Sequence, residues 1–274
     1  MRILLVSLAM FALLWIGACR PAEPTAKVSP SAPAVRAPEE TAEPEAAAEA
    51  AEAEAAAETS ASEAEEAEAA ARTWDFEDAE VGGLPSGWTA AKTGEGPGSE
   101  WQVLEDESAP AGPKVLGQVS AEGPKPLFCL CFAEETNYAD VDLSVALKGV
   151  KGKIDQGGGP VWRLQDENNY YVARMNPLES NFRLYKVIDG KRSQLASADV
   201  DVPDEDLDAD DPLLNKWHTI RVVHGGDQIQ CYLNGELRLE SQDSSIPNAG
   251  KIGLWVKADA VTSFDKLSVT APSE

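Results

Sequence analysis

Residues able to do chemistry are sparse in this chain, and their spacing excludes more than it assigns. There is no Gly-x-Ser-x-Gly elbow, no glycine-rich phosphate loop and no histidine pair at metal-ligand spacing. The two histidines, His218 and His224, stand six residues apart on one apolar segment, which suits structural roles. Cys129, Cys131 and Cys231 also lie in apolar runs. Cys-x-Cys is not zinc-knuckle spacing and no histidine is near it. A disulfide from Cys231 to one of the pair and three buried thiols are both open readings. The densest acidic run, Asp199 to Asp211, lacks the glycine and the terminal glutamate of a calcium-binding EF-hand loop and reads as a solvated loop. What remains is of binding type. Trp162, Arg163, Tyr170, Tyr171, Arg174, Asn176, Tyr185, Trp255 and Lys257 mix aromatic rings with forked or planar polar groups. Aromatic faces suit the C–H patches of a sugar and such polar groups suit its hydroxyls. The competing reading places Trp162, Tyr171 and Trp255 in the core. Strand parity sends only half of the set to any one face.

The elements that must position these residues are strands. Val141, Leu143, Val145 and Leu147 alternate with Asp140, Asp142, Ser144 and Ala146, the period of a half-buried strand. Leu127 to Phe132 is apolar at every position, as in a strand covered on both faces. Turn signals at Asp189-Gly190, Gly225-Gly226-Asp227 and Asn234-Gly235 fall between alternating runs and predict hairpins. No segment after Arg72 shows a convincing 3.6-residue period. A dozen or so short strands in about 200 residues predict an all-β, two-sheet antiparallel jelly-roll sandwich.

The remainder of the chain is of a different kind. Residues 20–71 hold twenty-one Ala, thirteen Glu and six Pro, with no aromatic residue. Such a segment has nothing to bury against the entropy of ordering and predicts a disordered acidic linker. As a coil it spans about 40 Å. Residues 3–16 form an apolar run behind Arg2, too short for a membrane span but suited to a signal peptide. The run ends in Ile16-Gly17-Ala18-Cys19, which resembles the lipobox of bacterial lipoproteins. The resemblance implies cleavage before Cys19 and lipidation of Cys19. The organisation expected is therefore a signal peptide at 1–18, a lipidated linker at 19–71 and a jelly-roll domain at 72–274. Arg20, in place of the Asp that marks inner-membrane retention, favours the outer membrane, with the domain in the periplasm or at the cell surface. The net charge is −24, of which −15 falls on residues 72–274. That balance excludes nucleic acid as a partner, because phosphate binding needs clustered Lys and Arg.

Several segments together resemble the concanavalin A-like (laminin-G-like) jelly roll of secreted bacterial proteins. They are Asp75-Phe76-Glu77-Asp78, Leu84-Pro85-Ser86-Gly87-Trp88, Asn169 to Asn176, Arg183 to Val187, Lys216-Trp217-His218, Gly250 to Asp259 and Phe264 to Leu267. The closest branch is the one grouped with 3-keto-disaccharide hydrolases. The resemblance implies that the aromatic and polar set above lies on neighbouring strands. It also implies a structural calcium pairing of Glu77 or Asp78 with Asp265, the one cofactor expected here. Activity is another matter. The Glu-x-Asp-x-x-Glu strand of laminarinase-type glycosidases is missing. Where the keto-disaccharide branch carries Asn-Ser-Gly and a Glu on the next strand, this chain has Gly157 to Arg163 and then Tyr171 to Arg174. The expectation is a lipid-anchored envelope protein, with no catalytic residues assigned, that binds a glycan or another envelope polymer. A glycoside or 3-keto-disaccharide hydrolase and a protein-interaction scaffold are the alternatives.

Overall fold

A computed structural model describes residues 71–202 and 212–272. The segments expected to be signal peptide, lipidation site Cys19 and linker lie outside the described residues, as does most of the acidic run 199–211.

Two antiparallel sheets stack face to face. The first follows the order β13 (Glu236–Gln242), β12 (Gln228–Leu233), β11 (Trp217–Gly225), β6 (Val141–Lys151), β15 (Val261–Thr270), β4 (Lys114–Gln118), β3 (Trp101–Glu105). β1 (Arg72–Trp74) pairs with β15 beyond the end of β4, opposite Leu267 to Val269. The second sheet runs β10 (Lys191–Asp199), β9 (Asn181–Ile188), β8 (Asn169–Asn176), β7 (Gly158–Asp166), β14 (Lys251–Lys257), β5 (Phe128–Ala133), β2 (Trp88–Thr93). The only helical piece among the described residues is a 3₁₀ turn at Pro177–Glu179, capped by the Asn176 side chain. The all-β, two-sheet antiparallel reading of the sequence is correct.

Side-chain parity builds the core. Val141, Leu143, Val145 and Leu147 of β6 face Ile252, Leu254 and Val256 of β14 and Cys129 and Cys131 of β5 across the interior. The hairpins at Asp189-Gly190, Gly226-Asp227 and Asn234-Gly235 form as predicted, with Asp189 and Asn234 left-handed beside their glycines. All three described cysteines are buried free thiols. Burial raises the Cys129 thiol to about 11 and pushes Cys131 and Cys231 higher still, so none is a nucleophile at neutral pH.

Candidate functional site on the concave sheet

The seven-stranded sheet carries a second hydrophobic cluster on the face turned away from the first sheet. It exists because the sheet curls. Thr93, on edge strand β2, meets the Tyr170 hydroxyl of β8 at 2.9 Å and donates to the Glu167 carbonyl in the β7–β8 turn. From the opposite edge, Arg192 of β10 lies 5.1 Å from the Phe128 ring of β5 and 5.8 Å from the Trp255 ring of β14. The outer face is therefore concave. Phe128, Leu130, Tyr170, Tyr185 and Trp255 form its closed apolar floor, each nearly or wholly buried. The Trp255 indole N–H donates to the Tyr170 hydroxyl, which gives both polar tips a partner.

Beside that floor, the same parity sets out a polar shelf. Tyr170, Val172, Arg174 and Asn176 alternate outward along β8, and register places Arg183 opposite Arg174 and Asn181 opposite Asn176. Arg174 is 1% exposed. Its Nη2 donates to Asp155 at 2.5 Å and its Nη1 reaches Glu179 at 3.4 Å. Lys257 holds the other Asp155 oxygen at 2.6 Å. Asn181 donates to Glu179 at 3.0 Å, and Arg183 lies 3.6 Å from the same carboxylate. Arg192 sits with its guanidinium 4.2 Å from the Tyr185 ring centre. Among the described residues no carboxylate lies within ion-pair distance of Arg192.

Several buried polar atoms of this shelf have no protein partner: Arg174 Nε, Asn176 Nδ2, Asn181 Oδ1, Arg183 Nε and Arg192 Nη1. Buried polar groups are normally paired, and a concentration of unpaired ones calls for an explanation. Here five fall on one face within neighbouring strands. The charges are fixed as well. Burial would raise the Glu179 carboxyl, but the Asn181 amide and the Arg174 and Arg183 cations bring it down to about 2. Burial lowers the Arg192 guanidinium, while Tyr185 supports its charge. A general acid needs a carboxyl held protonated near neutral pH. Glu179 is the opposite, and both oxygens of Asp155 are held by cations.

The structure divides the candidate set read from sequence. Tyr170, Arg174, Asn176, Tyr185, Trp255 and Lys257 belong to the concave face. Trp162 and Tyr171 do not, and this corrects their placement with the others. Parity turns both inward, where their rings stack at 5.8 Å in the main core. Arg163 is also removed from the set. It sits in a β-bulge with φ of 45°, which swings its side chain to the rim between the sheets. There it bonds the carbonyls of Ala139, Ile246 and Gly226 and the Asp140 carboxylate, closing the interior as a clamp. Asp155, Glu179, Asn181, Arg183 and Arg192 escaped the sequence reading. Arg183 and Asn181 were recoverable, since they share the parity of Tyr185 on the same strand. Asp155 arrives from a loop and Arg192 from across the curl, and no spacing signals either.

Asp265 is buried, and burial together with Glu77 and Asp75 raises its carboxyl above the ordinary range. Its oxygens accept the Ala111 and Lys266 amides, and Glu77 accepts the Lys114 amide. Asp78 is exposed. Among the described residues no three Asp, Glu, His or Cys side chains are grouped to share a metal ion.

No protein-family model matches the sequence, and the search of curated proteins finds no match. Among solved structures the chain is similar to the carbohydrate binding module CBM66 from Bacillus subtilis, at 18% identity and a TM-score of 0.50, covering 66% of this chain and 94% of that one. It is likewise similar to the cellulose induced protein Cip1, at 14% identity and a TM-score of 0.50, covering 73% and 97%. At such identities the likeness concerns fold alone, a concanavalin A-like jelly roll.

Proposed function

We propose that this chain is a lipid-anchored protein of the bacterial cell envelope whose jelly roll binds a saccharide at the concave face of the seven-stranded sheet without hydrolysing it. The observation that carries the reading is the polar shelf. Arg and Asn side chains there keep five buried hydrogen-bonding atoms without a protein partner beside an apolar floor, the composition of a site for a polyhydroxylated ligand. The same scaffold also occurs in a carbohydrate binding module, which supports the reading. A lipobox-like Ile16-Gly17-Ala18-Cys19 and the acidic stretch behind it support anchorage with reach.

A second reading, hydrolysis of a glycoside or a 3-keto-disaccharide, has one observation in its favour. Asp155 and Glu179 both contact Arg174, so two carboxylates do approach one point of the concave face. Against it, the Asn181 amide and the Arg174 and Arg183 cations bring the Glu179 carboxyl down to about 2, far from what a general acid needs, and both Asp155 oxygens are engaged by Arg174 and Lys257. A glycan array probed with the full chain tests the binding reading. Hits that are lost on Asn181→Leu, with an unchanged melting curve, are the expected result. An array without hits sinks the proposal, and release of reducing sugar from any bound glycan sinks its non-catalytic part.

A further inference from the structure

Resting on the saccharide reading, we infer that the ligand is an acidic saccharide whose oxyanion, a carboxylate or a sulfate ester, docks against Arg174, Arg183 and Arg192. The first argument is charge. The concave face brings together four cations, Arg174, Arg183, Arg192 and Lys257, and two carboxylates, Asp155 and Glu179. Asp155 is fully occupied by Arg174 and Lys257, and Glu179 is shared between Arg174 and Arg183. Arg192 has no carboxylate among the described residues. This local excess of positive charge stands in a domain segment that carries −15, so it is not a by-product of composition.

The second argument is the type of atom left unpaired. Arg174 Nε, Arg183 Nε, Arg192 Nη1 and Asn176 Nδ2 are donors, and Asn181 Oδ1 is the single acceptor. The two amide orientations are set by their other bonds: Asn176 Oδ1 accepts from Leu178 N, and Asn181 Nδ2 donates to Glu179. A neutral sugar hydroxyl both donates and accepts, whereas a carboxylate or sulfate only accepts. Four donors against one acceptor match the second kind. Arg192 packs against ring faces, and among the described residues no acceptor claims its planar fork, the geometry that suits a bidentate contact with an oxyanion. The Arg174 side chain is buried, so a charged contact there is little weakened by solvent.

Titration calorimetry of the full chain tests this with four probes: oligogalacturonate, the same oligomer with its carboxyls reduced to alcohols, a sulfated heparin-derived tetrasaccharide and inorganic sulfate. We expect at least one acidic oligosaccharide to bind, and whichever binds identifies the oxyanion. The carboxyl-reduced oligomer should bind about tenfold or more weakly than the acidic one, and Arg192→Gln should lose about as much for the acidic probe. Arg183→Gln is the second variant and serves if Arg192→Gln melts early. Equal affinity for the reduced oligomer, or variants that bind acidic probes like the parent, overturns the anionic assignment while saccharide binding stands. No binding of either acidic oligosaccharide overturns the anionic assignment, binding of inorganic sulfate alone does the same, and the saccharide reading itself then falls only if the glycan array is also without hits.

Discussion

His224 shows how much one side chain is constrained by what surrounds it. Its Nδ1 accepts the Trp162 indole N–H at 2.8 Å, and its ring stands edge-on to Tyr171 at 5.3 Å. Because an indole can only donate, protonating Nδ1 would break that bond. Burial is the main force holding the imidazole down to about 4, and Arg163 adds to it while Asp140 and Asp243 oppose. The sign follows directly. The unfolded chain binds a proton near pH 6.5 that the folded chain refuses until about 4, so stability is full above that window and falls through it as acid is added. The expected slope is about 1.4 kcal/mol per pH unit for one proton. His218, also lowered by burial, contributes in the same direction. The His224→Gln variant keeps an acceptor for Trp162 but cannot titrate. Denaturant midpoints between pH 7 and 4.5 should fall less steeply in it than in the parent chain, and parallel curves would refute the assignment.

At the scale of elements, the concave site depends on how closely β7 and β8 approach. Gly159 is where they meet. A Cβ there would lie 1.9 Å from the Ala173 carbonyl oxygen of β8 and 3.1 Å from Ile220 of the other sheet, with backbone on one side and core on the other. Neither can retreat cheaply. Gly159→Ala should cost about 1–3 kcal/mol, read as a lower denaturant midpoint at unchanged slope. The same substitution should weaken saccharide binding, because Arg174 and Asn176 ride on β8. A neutral Gly159→Ala would mean that the two strands part freely. Two strands along, β9 repeats the alternation, with Phe182 and Leu184 inward and Arg183 and Tyr185 outward. The Arg163 bulge interrupts this alternation on β7, and it converts a residue placed with the ligand face into a clamp at the rim.

The molecule as a whole sets where such a site can work. The described domain supplies no apolar helix able to cross a membrane. The proposed anchorage is acylation of Cys19, where two or more acyl chains give stable attachment that a single chain does not. The Cys19→Ser variant, produced in a diderm host, should leave the membrane fraction for the soluble one and should not incorporate labelled palmitate. Retention of both properties would remove the anchor from the proposal. The anionic surface is a further whole-molecule trait. At low salt it slows the approach of an acidic glycan, whereas at about 0.1–0.15 M salt the screening length shrinks to about 8–10 Å and the cations of the shelf dominate near it.

Alternation, turn chemistry and composition settled the class of this protein before any coordinates. Period-two runs such as Val141 to Leu147 force strands, Asn234-Gly235 forces a hairpin, and an Ala/Glu stretch without large apolar residues has no core to join. These are local properties, fixed by neighbours in the chain. The site is not local. Tyr170 and Tyr171 are adjacent and chemically alike, yet one lies on the concave floor and the other in the main core, and only the register of β8 decides which. Arg192 meets Trp255 because the twisted sheet curls far enough to bring an edge-strand side chain over a strand four places along, a consequence of several strands acting at once. No spacing along the chain encodes that meeting.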